Sequence, residues 1–185
     1  MPTEYAVTAE AADPYCLRDG EAAGLLAGHP WRRFVVLGDS VAEGIFESTA
    51  GYLALPWTDR VAAELAGARP ELAYHNLGRR NLRAAQVRAS QLAQALAFAP
   101  DLALVAAGAN DAIDPRYDPD AVDVELSAII EELQAAGAQV MTIGVLVLAG
   151  YPGLPASIRA GVPGRLRRWR EHTGRLGVAL GTIHV

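Results

Sequence analysis

Lysine is absent from this 185-residue sequence, and all 16 of its basic residues are arginine. A Walker A phosphate loop, a Schiff-base nucleophile and a pyridoxal enzyme all need a side-chain amine, so these classes are excluded. Cysteine occurs once, at Cys16, which rules out an internal disulfide and a cysteine-rich zinc site and fits a reducing compartment. Cys16 precedes the first core strand and has no evident partner, so it is not expected to act as a catalytic thiol. Aromatics make up only 6% of the chain, the net charge is -5, and no basic stretch interleaves with aromatic residues. A nucleic-acid partner is therefore not expected. The longest apolar run, around Val140 to Ala149, is about half of the roughly 20 residues that a membrane helix requires, so no membrane partner is expected. Met1 to Gly28 carries Glu4, Glu10, Asp13, Asp19 and Glu21 and lacks both the positive start and the apolar core of a signal peptide; the expected location is the cytoplasm.

What is present suffices for one core: 51% of the residues are hydrophobic, ample for a single domain of this length. We divide the chain into an N-terminal segment, residues 1–30, and one domain, residues 31–185. Past Pro30, short apolar runs alternate with longer periodic ones, the pattern of a parallel sheet covered by helices on both faces, a three-layer α/β/α architecture. Strands are expected at Phe34 to Leu37, Leu72 to Asn76, Leu102 to Ala107, Val140 to Leu148 and Val178 to Val185. Between the second and third, Leu82, Ala85, Ala89, Leu92 and Leu96 make a helical apolar stripe, with Arg83, Arg88, Gln91 and Gln94 on the other faces. Asp118 and Pro119 predict the start of a further helix that Gly137 ends, and Val162, Leu166, Trp169, Thr173 and Leu176 space as another stripe. The alternation closes on a strand, so the helix that would cover that part of the sheet is expected to be absent and the domain C-terminally incomplete.

Ligands of open parallel sheets gather at the carboxyl ends of the strands. There the first strand delivers Gly38, Asp39 and Ser40, the second His75, Asn76 and Gly78, and the third Gly108, Ala109, Asn110 and Asp111. A hydroxyl, small turns and an amide side chain are what acyl transfer needs: a nucleophile, and donors aimed at a developing oxyanion. Asp39 and Asp111 are expected to order their turns by accepting from backbone N–H groups. The acids from Asp111 to Asp123 lack the spacing of a calcium loop and read as helix-start residues, so no metal and no cofactor is expected. Arg79, Arg80 and Arg83 read as a solvated helix start, with an anionic substrate group as the other possibility.

In the run Val36-Leu37-Gly38-Asp39-Ser40 and in Gly108-Ala109-Asn110-Asp111, the sequence resembles the SGNH (GDSL) hydrolase family, over about Phe34 to Val185. The resemblance implies a flavodoxin-like sheet of order 2-1-3-4-5 and a serine hydrolase acting on small-molecule ester or acyl substrates through an acyl-enzyme. It implies Ser40 as nucleophile, with the Ser40 N–H and the Asn110 side chain as oxyanion donors. The family's third donor is a glycine about five positions past the strand-end asparagine. Here that count falls on Asn81, which tolerates the left-handed backbone such a turn needs, with Gly78 as the fallback.

The family's general base is a histidine in an Asp-x-x-His segment, and no such spacing occurs in this sequence. Without a base, a serine hydroxyl is a weak nucleophile; removal of the histidine costs on the order of 10^6 in turnover in a well-studied serine protease. His75 beside the first strand is the candidate substitute. His184 would lie three strand places away, roughly 14 Å at about 4.8 Å per place. Three explanations stay open: an enzyme whose base lies further along a longer chain, a base from His75 or a partner, and a non-catalytic binding or scaffold remnant. An acyltransferase on the same scaffold is the alternative activity. The α/β-hydrolase elbow Gly-x-Ser-x-Gly does not fit, since Ala42 stands at its last position. The oligomeric state is left open.

Overall fold

The computed structural model describes residues 8–144 and 160–185. Five strands form one parallel sheet: β1 (Arg33–Gly38), β2 (Ala73–Asn76), β3 (Leu102–Ala106), β4 (Gln139–Thr142) and β5 (Ile183–His184), in the spatial order β2-β1-β3-β4-β5. The helices described are α1 (Thr8–Ala12), α2 (Glu21–Leu25), α3 (Ser40–Glu43), α4 (Trp57–Ala68), α5 (Ala84–Ala97), α6 (Ala109–Ile113), α7 (Pro119–Ala135) and α8 (Val162–Ala179).

The central strands are buried on both faces, which is why β1 and β3 read as unbroken apolar runs. Alternate residues serve opposite layers. Val35, Leu37, Ala103, Val105 and Val140 face a core filled by Val87, Leu126, Ile129, Leu133, Leu166 and Trp169 from α5, α7 and α8. Phe34, Val36, Leu102, Leu104 and Ala106 face the second core, with Ala62 and Leu65 of α4. Each large apolar side chain so buried contributes about 1.5–3 kcal/mol. The N-terminal residues pack on this second layer: Glu10 pairs with Arg60, and the Leu65 carbonyl lies 3.0 Å from His29 Nε2.

Local signals account for several boundaries. The Asp118 carboxylate accepts from the N–H groups of Asp120 and Ala121, capping α7 ahead of Pro119, and Gly137 leaves that helix at φ 96°. Val162, Leu166, Trp169 and Thr173 form the buried face of α8 as their spacing predicts.

Two expectations change. The buried face of α5 consists of Ala84, Val87, Gln91, Leu92 and Ala95, whereas Ala85 and Ala89 are exposed. Alanine fits either side of a helix, so an alanine-rich stripe does not define which side faces the core. The last strand is two residues long. α8 runs on through Val178, itself 81% exposed, and Gly181 turns the chain at φ 65°. Of the expected fourth strand, residues 145–148 lie outside the described residues. Among the described residues, no helix is long and apolar enough to cross a membrane.

Candidate functional site

Gly38 ends β1 with φ 145°, and a Cβ there would lie 1.9 Å from the Ala106 carbonyl oxygen of the neighbouring strand. Only glycine lets β1 pass that close to β3 and turn. The turn is then fastened from both sides: the Asp39 N–H donates to the Ala106 carbonyl at 3.1 Å, and the Arg79 N–H to the Gly38 carbonyl at 3.1 Å. Ser40 follows as the first residue of α3, a position whose N–H has no acceptor within its own helix. Asp39 caps α3, its Oδ1 accepting from the Val41 N–H at 2.9 Å.

The segment after β2 crosses directly over α3. A Cβ on Gly78 would lie 2.3 Å from the Glu43 nitrogen, so this glycine is required by crowding. Asn76 braces the crossing in both directions: Oδ1 accepts from the Gly78 N–H at 2.8 Å, and Nδ2 donates to the Ala42 carbonyl at 2.9 Å. The Gly78 N–H is thus committed to Asn76, which counts against Gly78 as an oxyanion donor. Asn81, three residues on, adopts φ 67°. Arg80 pairs with Glu43, and Arg83 pairs with Asp114 at 2.7 Å. These two arginines hold the segment down rather than awaiting an anion.

Gly108, at φ 105°, ends the third arm, and Asn110 sits in the first turn of α6. Asn110 Nδ2 donates to the Leu82 carbonyl at 2.9 Å. That bond joins the third arm to the residue beside Asn81, and a primary amide keeps its second N–H for another acceptor. The rim therefore gathers Ser40, Asn81 and Asn110 from three successive strand ends. A half-open cavity of about 430 Å³ adjoins it, lined by Arg83, Asp111, Asp114, Arg116, Tyr117 and Glu125, with Ser40 and Asn110 outside its lining.

The carboxylates beside the rim are perturbed. Burial, with smaller help from the nearby Asp111 charge, pushes Asp39 up to about 6. Asp39 is 1% exposed, and its Oδ2 has no partner among the described residues. Burial also raises Asp111, opposed by the Ala84 N–H that its Oδ2 accepts at 2.9 Å.

Gln91 is the residue that the sequence reading placed on a solvent face. It is 3% exposed; its Oε1 accepts from the Gly38 N–H at 2.8 Å, and its Nε2 donates to the Gly38 carbonyl at 2.9 Å. A signal existed: Ala84, Val87, Gln91 and Ala95 follow helical spacing, and one polar member of a buried stripe marks a polar group that needs it.

The family model for GDSL-like lipases and acylhydrolases matches residues 36–184, from β1 through β5. The chain belongs to this family. In overall shape it is similar to the crystal structure of TesA (21% identity, TM-score 0.64, covering 83% of this chain and 77% of that one). It is also similar to Axe2, an acetylxylan esterase from Geobacillus stearothermophilus (14%, TM-score 0.64, 86% and 76%), and to the acetyl xylan esterase AlAXEase (15%, TM-score 0.62, 82% and 75%). No curated protein matches it in sequence.

None of the four histidines is brought to Ser40. His75 stands opposite Val35 in the β1–β2 register, five residues short of Ser40, roughly 16 Å at about 3.3 Å per residue. Its ring packs on Phe98, whose carbonyl accepts from Arg33 at the other end of β1. The substitute base expected from the end of β2 is therefore misplaced: β2 pairs too far back along β1. His184 lies on β5, three places from β1, with Nδ1 2.9 Å from Thr142 Oγ1. His29 lies against α4, and His172 on α8 pairs with Asp123 of α7.

Proposed function

We propose that the chain carries a serine acyl-transfer site for ester or related acyl substrates, with Ser40 as nucleophile. Ser40 Oγ attacks the substrate carbonyl carbon, and the Ser40 N–H, the Asn81 N–H and the second Nδ2 hydrogen of Asn110 receive the oxyanion. The alcohol leaves, and water resolves the acyl-enzyme; an alcohol acceptor in place of water makes the same site an acyltransferase. The observation that carries this reading is the placement of Ser40 at the head of α3 on the rim that also holds the clamped amide of Asn110. A general base takes the Ser40 proton and returns it to the leaving alcohol; none of His29, His75, His172 and His184 is placed for that task, and added imidazole is able to perform it in solution.

Fluorophosphonate labelling followed by intact mass tests the proposal, with added imidazole serving as a soluble base. A single adduct is expected that maps to Ser40, forms faster as imidazole is raised, and disappears in Ser40→Ala. No adduct at Ser40 even at high imidazole would sink it.

The positions of the four histidines favour one second reading, a module that binds acyl ligands without turning them over. That reading predicts no adduct under any condition, together with ester affinity that calorimetry finds equal in the wild type and Ser40→Ala.

A further inference from the structure

We infer that Asp120, Asp123 and His172 form a binding site for a divalent transition-metal ion such as Zn²⁺, clamping α7 to α8 away from Ser40. One ligand atom from each residue, a carboxylate oxygen from each aspartate and a ring nitrogen from the histidine, lies within 4.8 Å of the other two. The two aspartates stand one turn apart on α7, and His172 reaches across from α8, its Nδ1 2.7 Å from Asp123 Oδ2.

Helix capping does not account for these acids. Asp118 performs that task, accepting from the N–H groups of Asp120 and Ala121. An interhelical ion pair accounts for Asp123 and His172 but not for a second carboxylate with an oxygen within 4.8 Å of the same imidazole. With a neutral imidazole the cluster carries two negative charges, which a divalent cation balances. Arg168, one turn back on α8, is exposed, and its guanidinium is able to extend into water.

The donors select the ion. An imidazole beside two carboxylates suits zinc, cobalt or nickel, whereas calcium and magnesium prefer all-oxygen sets. Ligand atoms about 2.0–2.2 Å from zinc stand roughly 3–4 Å from one another. The present spacing reaches that when Asp120, the exposed member of the three, rotates inward and the 2.7 Å contact between Asp123 and His172 opens to admit the ion. On binding, the Nδ1 proton that is donated to Asp123 Oδ2 passes to solvent, the ion takes the freed Nδ1 lone pair, and the ring carries its one proton on Nε2. Both helices are long and packed on the main core through Val122, Leu126, Leu166 and Trp169, so the three ligands start from rigid supports.

Titration of the full chain with ZnCl2 by calorimetry, and with CoCl2 by visible absorption, tests the inference. One equivalent is expected to bind with a Kd tighter than about 10 μM and to raise the melting temperature. Asp120→Asn leaves the Asp123–His172 pair standing and is expected to weaken binding at least about tenfold, while His172→Ala abolishes it. Circular dichroism checks that both variants are folded. The inference is overturned by absence of saturable binding, or by binding that survives both substitutions unchanged, which would place the ion elsewhere. An effect of Asp120→Asn on the metal-free melting temperature with none on affinity would likewise overturn it, leaving only a helix-pairing ion bridge.

Discussion

Two turns at the rim follow one plan by different means. β1 ends in a glycine with positive φ and β3 is followed by one two residues on, each continues into a short helix, and each places an acid near the turn that accepts a backbone N–H. At the first turn most of what meets the glycine is polar or backbone, with the Ala42 Cβ, 2.9 Å from a Cβ built there, as the apolar neighbour. The missing Cβ of Gly38 would meet the Ala106 carbonyl, its own N–H and carbonyl are held by Gln91, and Asp39 folds back on its own helix. At the second turn the contact is packing: a Cβ on Gly108 would lie 2.3 Å from Trp169 Nε1 and 3.1 Å from Val122 Cγ1. Its acid, Asp111, reaches outward to α5. The turn that presents Ser40 is thus held by directional bonds that resist small displacements. The turn that presents Asn110 rests on side chains that are able to shift.

Substitution at the two glycines is the most direct way to break this contrast. Gly38→Ala is expected to cost more than about 4 kcal/mol, in practice the fold, because the obstacle is the backbone of a central strand with nowhere to move. Gly108→Ala is expected to cost about 3 kcal/mol from strain and overlap, with part returned by Trp169→Phe. A double-mutant cycle in urea should give a coupling of about 1 kcal/mol between those two positions. Equal losses at both glycines, or zero coupling, would erase the distinction between a bonded and a packed turn.

The acids sharpen the comparison through pH. Asp39 in the folded protein titrates at about 6, above the ordinary 3.8 that it takes in the unfolded chain. Between these values the native state holds more protons than the unfolded state, so stability falls as pH rises from about 4 to about 6 and then levels. The loss is roughly 2–3 kcal/mol, by the relation of about 1.4 kcal/mol per pKa unit. Asp39→Asn keeps an oxygen for the Val41 N–H and removes the charge. The difference in stability between variant and wild type should therefore grow in favour of the variant across that window and stay constant above it. A difference that is flat with pH would mean that Asp39 is not held neutral by burial.

Much of this rim is legible in the sequence where a residue's own conformation carries the information. Asn81 takes the left-handed backbone expected of an asparagine in a glycine's place, and Asp118 and Gly137 bound α7 by local chemistry that needs no partner. What depends on pairing at a distance was not legible. His75 is adjacent to β1 in any register, but only the register that aligns it with Val35 decides that it faces Phe98 and not Ser40. His172 and Asp123 are 49 positions apart, and nothing local in either helix announces the other. α5 fails for a different reason: with alanines on every side, its hydrophobic pattern is nearly degenerate under rotation, and Gln91 turned inward because Gly38 needed it.

Gln91 therefore carries the smallest of the expected effects and the most specific. Gln91→Leu fills the same volume and removes both bonds, yet the two backbone groups of Gly38 are not equally exposed to the loss. The carbonyl keeps the Arg79 N–H, whereas the Gly38 N–H loses the Gln91 acceptor. One buried orphan donor costs about 1–3 kcal/mol, so a loss of about 2 kcal/mol in urea denaturation is expected, well below that of Gly38→Ala. Hydrogen exchange separates this from general loosening. The Gly38 amide should lose protection by more than the global stability change explains, while the amides of β3 should follow the global change alone. If the Gly38 amide tracks the rest of the sheet, the side chain of Gln91 is filling space, and the first turn is held by its strands in the same way as the second.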